Sequence, residues 1–381
     1  MYAGAAARGP RARVEGFVGA LLTEIDLRAD DADAAFGLRR PPLETVYLGG
    51  GTPTLLPSSS VAAILERTRS RFGLAPAAEV TIEANPGPDE RGNARALVDA
   101  GVTRVSLGAQ SFDDGLLRRL GRRHRPRDVE AAVVEARETG IGSVSLDLLY
   151  DVPGQSEATW AATLDAALAL SPDHVSAYAL TLDDPDEEGL TGPIGDHLPT
   201  RAGARRWRTK AIAEQDDDRA AAQYTHVVER LAAAGFRGYE VSNWARPGHE
   251  SRHNLAYWER RPYEAVGPGA HAFDGTHRRW NAARLEGYLA ALAPADGSGP
   301  QLPPGGLEAV DAAAAEVEAT ILGLRLDTGI ALVDAEAGPL APHLAWALDV
   351  GLLEPFEHLE PRVRLTTRGR LLSNELFSRL V

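Results

Sequence analysis

Apolar residues in the first half of the chain follow two spacings, one typical of helices and one typical of strands. Between Arg13 and Leu27 they recur every three or four positions, which predicts that the protein opens on a helix. β-rich runs then occur at 44–49, 79–87, 103–110, 143–150 and 173–180. Helical patterns separate these runs, and they lie at 58–72, 89–100, 113–120, 127–139 and 156–170.

Strands that alternate with helices in this way predict a parallel sheet or a partial βα barrel. Right-handed crossovers place each strand beside the previous one, so the carboxyl ends of the strands share one edge of the sheet. The regular alternation stops near residue 182. We therefore do not expect a complete eight-stranded barrel.

The second half of the chain is less regular. Residues 183–218 carry acidic and basic clusters and are interpreted as a solvated surface excursion, followed by a helix at 219–234 and a strand at 238–245. Aromatic and histidine residues are frequent at 251–281, where we expect loops that form a binding surface. The predicted domains are a core at 1–182, an extension at 183–291, a linker at 292–306 and a small, mainly helical domain at 307–381, with a short strand before its last helix.

Composition narrows the classes of function. The 381 residues are 44% hydrophobic and 25% charged, as in ordinary globular proteins. A net charge of -14 argues against a nucleic-acid partner, because such binding relies on basic residues. No apolar run approaches the roughly 20 residues that cross a bilayer, and the start lacks the apolar core of a signal peptide. We expect a cytoplasmic protein without an integral membrane segment.

Polar residues and glycines collect at the predicted strand ends. Gly49, Gly50 and Gly51 follow the first strand and precede Thr52, and glycines there let a ligand approach the main chain. Three other strands place polar groups at the same edge, with an arginine just beyond: Glu83, Gln110, Asp147 and Arg122. Such a set suits a zwitterionic ligand that carries hydroxyls. Taken singly, each residue could instead form a tight turn, cap a helix or pair with an arginine.

Several motifs together resemble one family. Tyr-Leu-Gly-Gly-Gly-Thr-Pro (47–53), Thr-Ile-Glu-Ala-Asn-Pro-Gly (81–87) and Leu-Asp-Leu-Leu-Tyr-Asp-Val-Pro-Gly-Gln (146–155) are similar to the radical S-adenosylmethionine proteins of the oxygen-independent coproporphyrinogen oxidase group. Arg-His-Asn-Leu-Ala-Tyr-Trp (252–258) and Gly-Pro-Gly-Ala-His-Ala-Phe (267–273) resemble the HemW branch of that group, regarded as heme chaperones.

The resemblance implies a radical SAM barrel and two ligands. S-adenosylmethionine would contact Gly49, Gly50, Gly51 and Thr52 through its methionine end, and Glu83, Gln110, Arg122 and Asp147 would bind its polar groups. Heme would contact His253, with Tyr257 and Trp258 packed beside the macrocycle, and His271 is a weaker candidate. An unidentified heme-acceptor protein is the implied partner. The alternative for His253 is a loop histidine that bonds a neighbouring strand.

The chain departs from this family in one respect. The family holds a [4Fe-4S] cluster with a Cys-x-x-x-Cys-x-x-Cys loop after its first strand, whereas this chain contains no cysteine, and Met1 begins where that loop would finish. The expected fold is therefore a partial (β/α)6-type barrel that lacks its first strand, which would leave 44–49 as an exposed sheet edge. We expect either a truncated N-terminus or a cysteine-free relative, with truncation favoured, and no radical catalysis by the chain as given.

Three functions remain to be distinguished. The first is a heme-binding chaperone on a radical SAM scaffold, which the residues at 251–281 favour. The second is an enzyme resembling oxygen-independent coproporphyrinogen III oxidase, and the third is an unrelated βα-barrel hydrolase or isomerase. The third requires a catalytic constellation that the sequence does not reveal.

Overall fold

A curled sheet forms the centre of the protein. The computed structural model describes residues 11–37, 40–294 and 297–381. In the described chain the sheet has the order β1-β2-β3-β4-β5-β7-β6; β1 to β5 are parallel, and β7 and β6 complete it as antiparallel strands. Its strands are β1 (Leu43–Leu48), β2 (Leu74–Ala84), β3 (Arg104–Gln110), β4 (Ser143–Tyr150), β5 (His174–Ala179), β6 (Arg237–Gly238) and β7 (Asn243–Ala245).

Helices cover the outer face of this sheet, as the βα alternation predicts. Buried strand residues such as Ile82, Leu107 and Leu146 pack there against buried helix residues such as Leu65 and Trp160. The helices are α1 (Arg11–Phe36), α2 (Ser58–Phe72), α3 (Ala94–Asp99), α4 (Asp114–Arg119), α5 (Pro126–Thr139), α6 (Glu157–Ala169), α7 (Ala202–Ile212) and α8 (Asp217–Ala233).

Several boundaries differ from the sequence prediction. Helix α1 continues to Phe36, well beyond the predicted end at Leu27, and the ion pair between Arg40 and Asp33 lies near its end. Strand β2 begins at Leu74 rather than 79. Helix α3 begins only at Ala94, because the Asn93 side chain accepts a hydrogen bond from the Ala96 amide and caps it there. The strand predicted at 238–245 is a hairpin of two short strands, β6 and β7.

The region after β7 contains more regular structure than predicted. Instead of loops, 251–281 contains helix α9 (Arg252–Trp258) and strands β8 (His271–Phe273) and β9 (His277–Asn281). Helix α10 (Leu285–Leu292) and strand β10 (Gly305–Ala309) flank the predicted linker, and β10 pairs with β9. The excursion at 183–218 is largely exposed, but it includes helix α7.

The C-terminal region has its own apolar core, which includes Leu324, Leu344, Val363 and Leu376. Its sheet, in the order β11-β13-β12, has three strands where one short strand was expected, and helices form most of the region as predicted. The elements are α11 (Ala312–Arg325), β11 (Ile330–Ala331), α12 (Leu332–Glu336), α13 (Ala341–Asp349), β12 (Leu353–Glu357), β13 (Pro361–Leu365), α14 (Thr367–Leu371) and α15 (Ser373–Leu380).

A buried polar cluster fixes α1 against the second half of the chain. The Glu24 carboxylate accepts hydrogen bonds from the Tyr288 hydroxyl (2.7 Å), the Gly267 amide (2.8 Å) and the Asn281 side chain (2.7 Å), and Arg28 lies beside it. A buried carboxylate is tolerated only when it is paired and bonded in this way. The cluster therefore joins the opening helix to the segment that carries the second set of motifs.

Candidate functional site

The concave face of the sheet encloses a cavity of about 500 Å³. Side chains on β2 to β5 alternate, so that apolar residues face the helices and polar residues face the cavity. The strand residues that line it are Tyr47, Thr81, Glu83, Ala84, Arg104, Ser106, Gly108, Gln110, Asp147, His174, Ser176, Tyr178 and Asn243. A polar cavity of this size suits a ligand with many hydrogen-bonding groups.

The glycine turn after β1 lies against Glu83. The Gly50 amide donates to Glu83 Oε2 (3.1 Å), and the Tyr47 hydroxyl donates to Glu83 Oε1 (2.8 Å). A Cβ on Gly49 would lie 2.6 Å from the Tyr47 ring, and Gly51 lines the cavity with a φ of 116°. These positions therefore require glycine, and they leave main chain exposed beside a carboxylate.

Arg122 lies at the end of the cavity that is lined by the glycine turn and Glu83, here called the rim. Its Nη1 donates to Asn85 Oδ1 (3.1 Å), and Asn85 Nδ2 donates in turn to Thr52 Oγ1 (2.9 Å). Burial lowers the pKa of Arg122 from its usual value. Thr52 thus contacts the rim through Asn85, a residue that lies in one of the motifs but was not singled out from the sequence.

Gln110 lies at the end of its strand, whereas Asp147 lies deeper in the cavity. Gln110 ends β3 with a φ of 64°, which is uncommon for a residue other than glycine, and its side chain lines the cavity. Asp147 was expected at the rim, but three residues of β4 follow it, so it lies within the cavity. Ser106 donates to both of its oxygens (2.9 and 3.0 Å), and burial raises the pKa of Asp147 to about 6.

Helix α9 forms a further wall of the cavity beside β1. Ser251 caps the helix by accepting a hydrogen bond from the Asn254 amide. The Glu79 carboxylate, from β2, accepts hydrogen bonds from the amides of Arg252 (3.1 Å) and His253 (3.2 Å). An acidic side chain at a helix N-terminus is favourable, so Glu79 fixes the position of this short helix.

His253 bonds at both ring nitrogens. Nδ1 lies 2.8 Å from Thr45 Oγ1 on β1, and Nε2 lies 2.9 Å from the Tyr257 hydroxyl. Burial lowers the pKa of His253 below its usual value, which favours the neutral imidazole. β1 is the edge of the sheet in the described chain, as expected, and α9 partly covers it through these contacts.

Trp258 does not line the cavity with its neighbours on α9. Its ring packs instead under the guanidinium of Arg325, 4.4 Å from the ring centroid, at the C-terminal domain. The prediction that Trp258 packs beside a macrocycle with Tyr257 does not agree with this geometry. His271 also lies outside the lining of the cavity, and its Nε2 is 2.7 Å from Asp196 Oδ2.

Three other residues that line the cavity were not identified from the sequence. Arg104 and His174 begin β3 and β5, and Tyr239 follows β6; together they line the end of the cavity opposite the rim, here called the base. The signal that could have found Arg104 and His174 is the strict polar alternation along each strand, since residues two apart share one face.

Two classes of feature are not found in the described parts of the chain. No group of three or more His, Asp or Glu side chains there could bind a metal ion. No helix within residues 11–37, 40–294 and 297–381 has the length and hydropathy needed to span a membrane.

Comparisons with known proteins agree with this architecture. The Radical SAM superfamily matches residues 24–167. The heme chaperone HemW of Mycobacterium tuberculosis is 41% identical over 365 residues, which cover 95% of this chain and 85% of that protein. The HemW of Bacillus subtilis is 31% identical over 347 residues, covering 89% and 85% respectively.

A solved structure shares the fold. Coproporphyrinogen III oxidase (HemN) from Escherichia coli, a radical SAM enzyme, aligns with a TM-score of 0.76 over 97% of this chain and 83% of that one. Its sequence identity is 22%, so the likeness concerns the fold alone. With relatives 31–41% identical over most of its length, the chain belongs to the HemW family, built on the radical SAM fold.

Proposed function

We propose that this protein binds heme and delivers it to acceptor proteins. The observation that carries the proposal is the position of His253: in a chain 41% identical to a heme chaperone, this histidine lines the cavity together with Tyr257. A neutral imidazole is a common axial ligand of heme iron, and tyrosine faces suit a flat ring. Heme is the cargo here, and the acceptor is a protein still to be identified.

The contacts of His253 support a role in reversible binding. Tyr257 is more than one-third exposed, so its hydroxyl can leave Nε2 without disturbing the core. Thr45 meanwhile keeps its hydrogen bond to Nδ1 and fixes the orientation of the ring, as partners of ligating histidines commonly do. The lowered pKa supports this role, because a neutral ring is the form that coordinates iron.

We also propose an S-adenosylmethionine site at the rim. The turn of Gly49, Gly50, Gly51 and Thr52 would contact the methionine end, and Gly51 lines the cavity together with Glu83, Gln110, Arg122 and Asp147. Carboxylates suit an ammonium group and ribose hydroxyls, and a guanidinium suits a carboxylate. When bound, S-adenosylmethionine would supply the sulfonium chemistry of the superfamily, whereas the residues named above would bind and orient it.

The cluster of the superfamily does not fit this chain. A [4Fe-4S] cluster needs thiolate ligands, and none of the 381 residues is a cysteine. No reaction step is therefore assigned to it. The alternative of an enzyme resembling coproporphyrinogen III oxidase is disfavoured by the residues at 252–258, which resemble the HemW branch. A cytoplasmic location and the four-part domain division remain proposals.

Hemin titration tests the proposed function. We expect a Soret shift in the wild type and an affinity about tenfold or more weaker in His253→Ala, since an axial bond is lost. Tyr257→Phe should bind hemin at least as well as the wild type, because it frees Nε2. His277→Ala is the matched control, as His277 is exposed and pairs with Asp274 away from the cavity. Equal affinities in wild type and His253→Ala would refute the role of His253.

A further inference from the structure

Arg104 is a buried cation without a close ion pair among the described residues. Only 4% of the residue is exposed, yet it lines the cavity, and among the described residues no carboxylate lies within 4.0 Å of its guanidinium. Buried charges in proteins are normally paired, because an isolated charge loses most of its solvation. The pairing of Arg104 is thus incomplete within the described chain.

The guanidinium is fixed on one side only. Nη1 donates to Ser143 Oγ (3.0 Å) and to the His249 carbonyl (2.9 Å), which anchor it. Nε and Nη2 donate no hydrogen bond to a described residue. A guanidinium presents its donors as a planar fork that matches the two oxygens of a carboxylate, so the free side has the geometry of an anion site.

Neutral groups lie beside Arg104 at the base, and the carboxylates of Asp147 and Glu240 act on this region only from beyond ion-pair distance. His174 lies near it, bonded to Ser145 Oγ (2.8 Å) and to the Tyr239 hydroxyl (3.0 Å). Burial, and then the charge of Arg104, keeps the pKa of His174 well below its usual value, so the imidazole is neutral. Asn254 adds a side-chain amide 3.4 Å from the same tyrosine hydroxyl. The base therefore offers one cation beside neutral groups, with the Asp147 carboxylate further along the same cavity.

The base is separate from the rim. Arg104 begins β3 and Gln110 ends it, so the two are about 20 Å apart along the strand at roughly 3.3 Å per residue. The proposed S-adenosylmethionine carboxylate already has Arg122 at the rim. A carboxylate bound by Arg104 would therefore belong to a second ligand rather than to S-adenosylmethionine. His253 on α9 lines the same cavity, so a ligand of His253 can reach Arg104.

We propose that Arg104 is a carboxylate-binding subsite that takes a propionate side chain of the porphyrin cargo. The assignment rests on the proposed heme function, because it supplies the second contact of a ligand whose first contact is His253. A flat ring held by His253 alone is free to turn, and a charge-assisted hydrogen bond to one edge fixes its orientation.

The test compares hemin with hemin dimethyl ester, in which both propionates are neutral. We expect the wild type to bind hemin about 10- to 100-fold more tightly than the ester, the range for a hydrogen bond to a charged group. Arg104→Gln should bind both compounds alike, whereas Arg104→Lys should keep part of the preference. Arg246→Gln is the control, because Arg246 packs over Phe236 outside the cavity.

Each outcome has one meaning. Ester discrimination that disappears in Arg104→Gln supports the subsite, and the ester affinity itself reports whether that variant still folds. Binding without discrimination in the wild type, or discrimination that persists in Arg104→Gln, overturns the subsite and leaves the heme function intact. No binding of either compound by the wild type overturns the proposed function and this assignment with it. Loss of thermal stabilisation by S-adenosylmethionine in Arg104→Gln, with hemin selectivity unchanged, would assign the carboxylate to S-adenosylmethionine instead.

Discussion

The ring of Tyr47 stacks on the imidazole of His253, with centroids 5.1 Å apart and planes 21° from parallel, while its hydroxyl donates to Glu83. One side chain on β1 therefore contacts both proposed sites. Its ring belongs to the heme-contacting wall, and its hydroxyl belongs to the rim. The two contacts can be separated by substitution.

Tyr47→Phe should leave hemin affinity within about twofold of the wild type, because the ring stays on His253. Tyr47→Leu should weaken hemin binding about threefold to tenfold, since an aromatic pair contributes roughly 0.5–1.5 kcal/mol beyond its buried area. Soret titrations of both variants check this. Equal losses in the two variants would show that the hydroxyl, not the ring, supports His253.

Glu79→Gln should destabilise α9 and weaken hemin binding. The variant removes the negative charge at the helix N-terminus, which contributes about 1 kcal/mol, and it loosens the helix that carries His253. We expect about a fivefold weaker hemin affinity together with a lower urea midpoint. Glu66→Gln is the control, because Glu66 is exposed on α2 and pairs with Arg69. An unchanged hemin affinity would mean that α9 is positioned without Glu79.

Asp147 should make stability depend on pH. Its pKa in the folded protein, about 6, lies above the ordinary value of 3.8, so the folded state binds the proton more tightly than the unfolded state. The stabilisation is present below about pH 4 and is lost as the pH rises through about 6. Relative to its difference from the wild type at about pH 3, Asp147→Asn should therefore gain about 3 kcal/mol in stability by pH 8.

Urea denaturation at several pH values measures this difference, with Asp165→Asn on the surface as the control. A constant difference between Asp147→Asn and the wild type across the pH range would contradict the raised pKa.

S-adenosylmethionine binding should also weaken as the pH falls through about 6, if the ionised Asp147 carboxylate accepts hydrogen bonds from the ligand.

Trp258→Phe distinguishes whether Trp258 contacts heme or instead packs on Arg325. Because Trp258 packs on Arg325, we expect hemin affinity within about twofold of the wild type and a loss of roughly 0.5–1 kcal/mol in stability from the weaker cation–π contact. Thermal unfolding and Soret titration report the two effects independently. A large loss of hemin affinity without a loss of stability would return Trp258 to the heme site.

The sequence alone predicted those parts of the fold that local patterns specify. Helix α2 and strand β4 begin and end at the expected residues, because apolar spacing and turn residues act over short distances. Helix α1 was underestimated, since its last turns lack an apolar face and depend on propensity and on contacts such as Arg40 with Asp33.

The sequence by itself also determined the motifs, and through them the family and most of the rim. Only the tertiary structure decided which polar residues act together. Glu79 reaches α9 from 173 residues away in the chain, and the incomplete pairing of Arg104 becomes visible only when every neighbouring strand is in place. Trp258 turns away from the cavity for the same reason: its surroundings come from a domain that no local pattern connects to it. Side-chain charge and helical spacing are local properties, whereas burial and the partners of a charge depend on the whole fold.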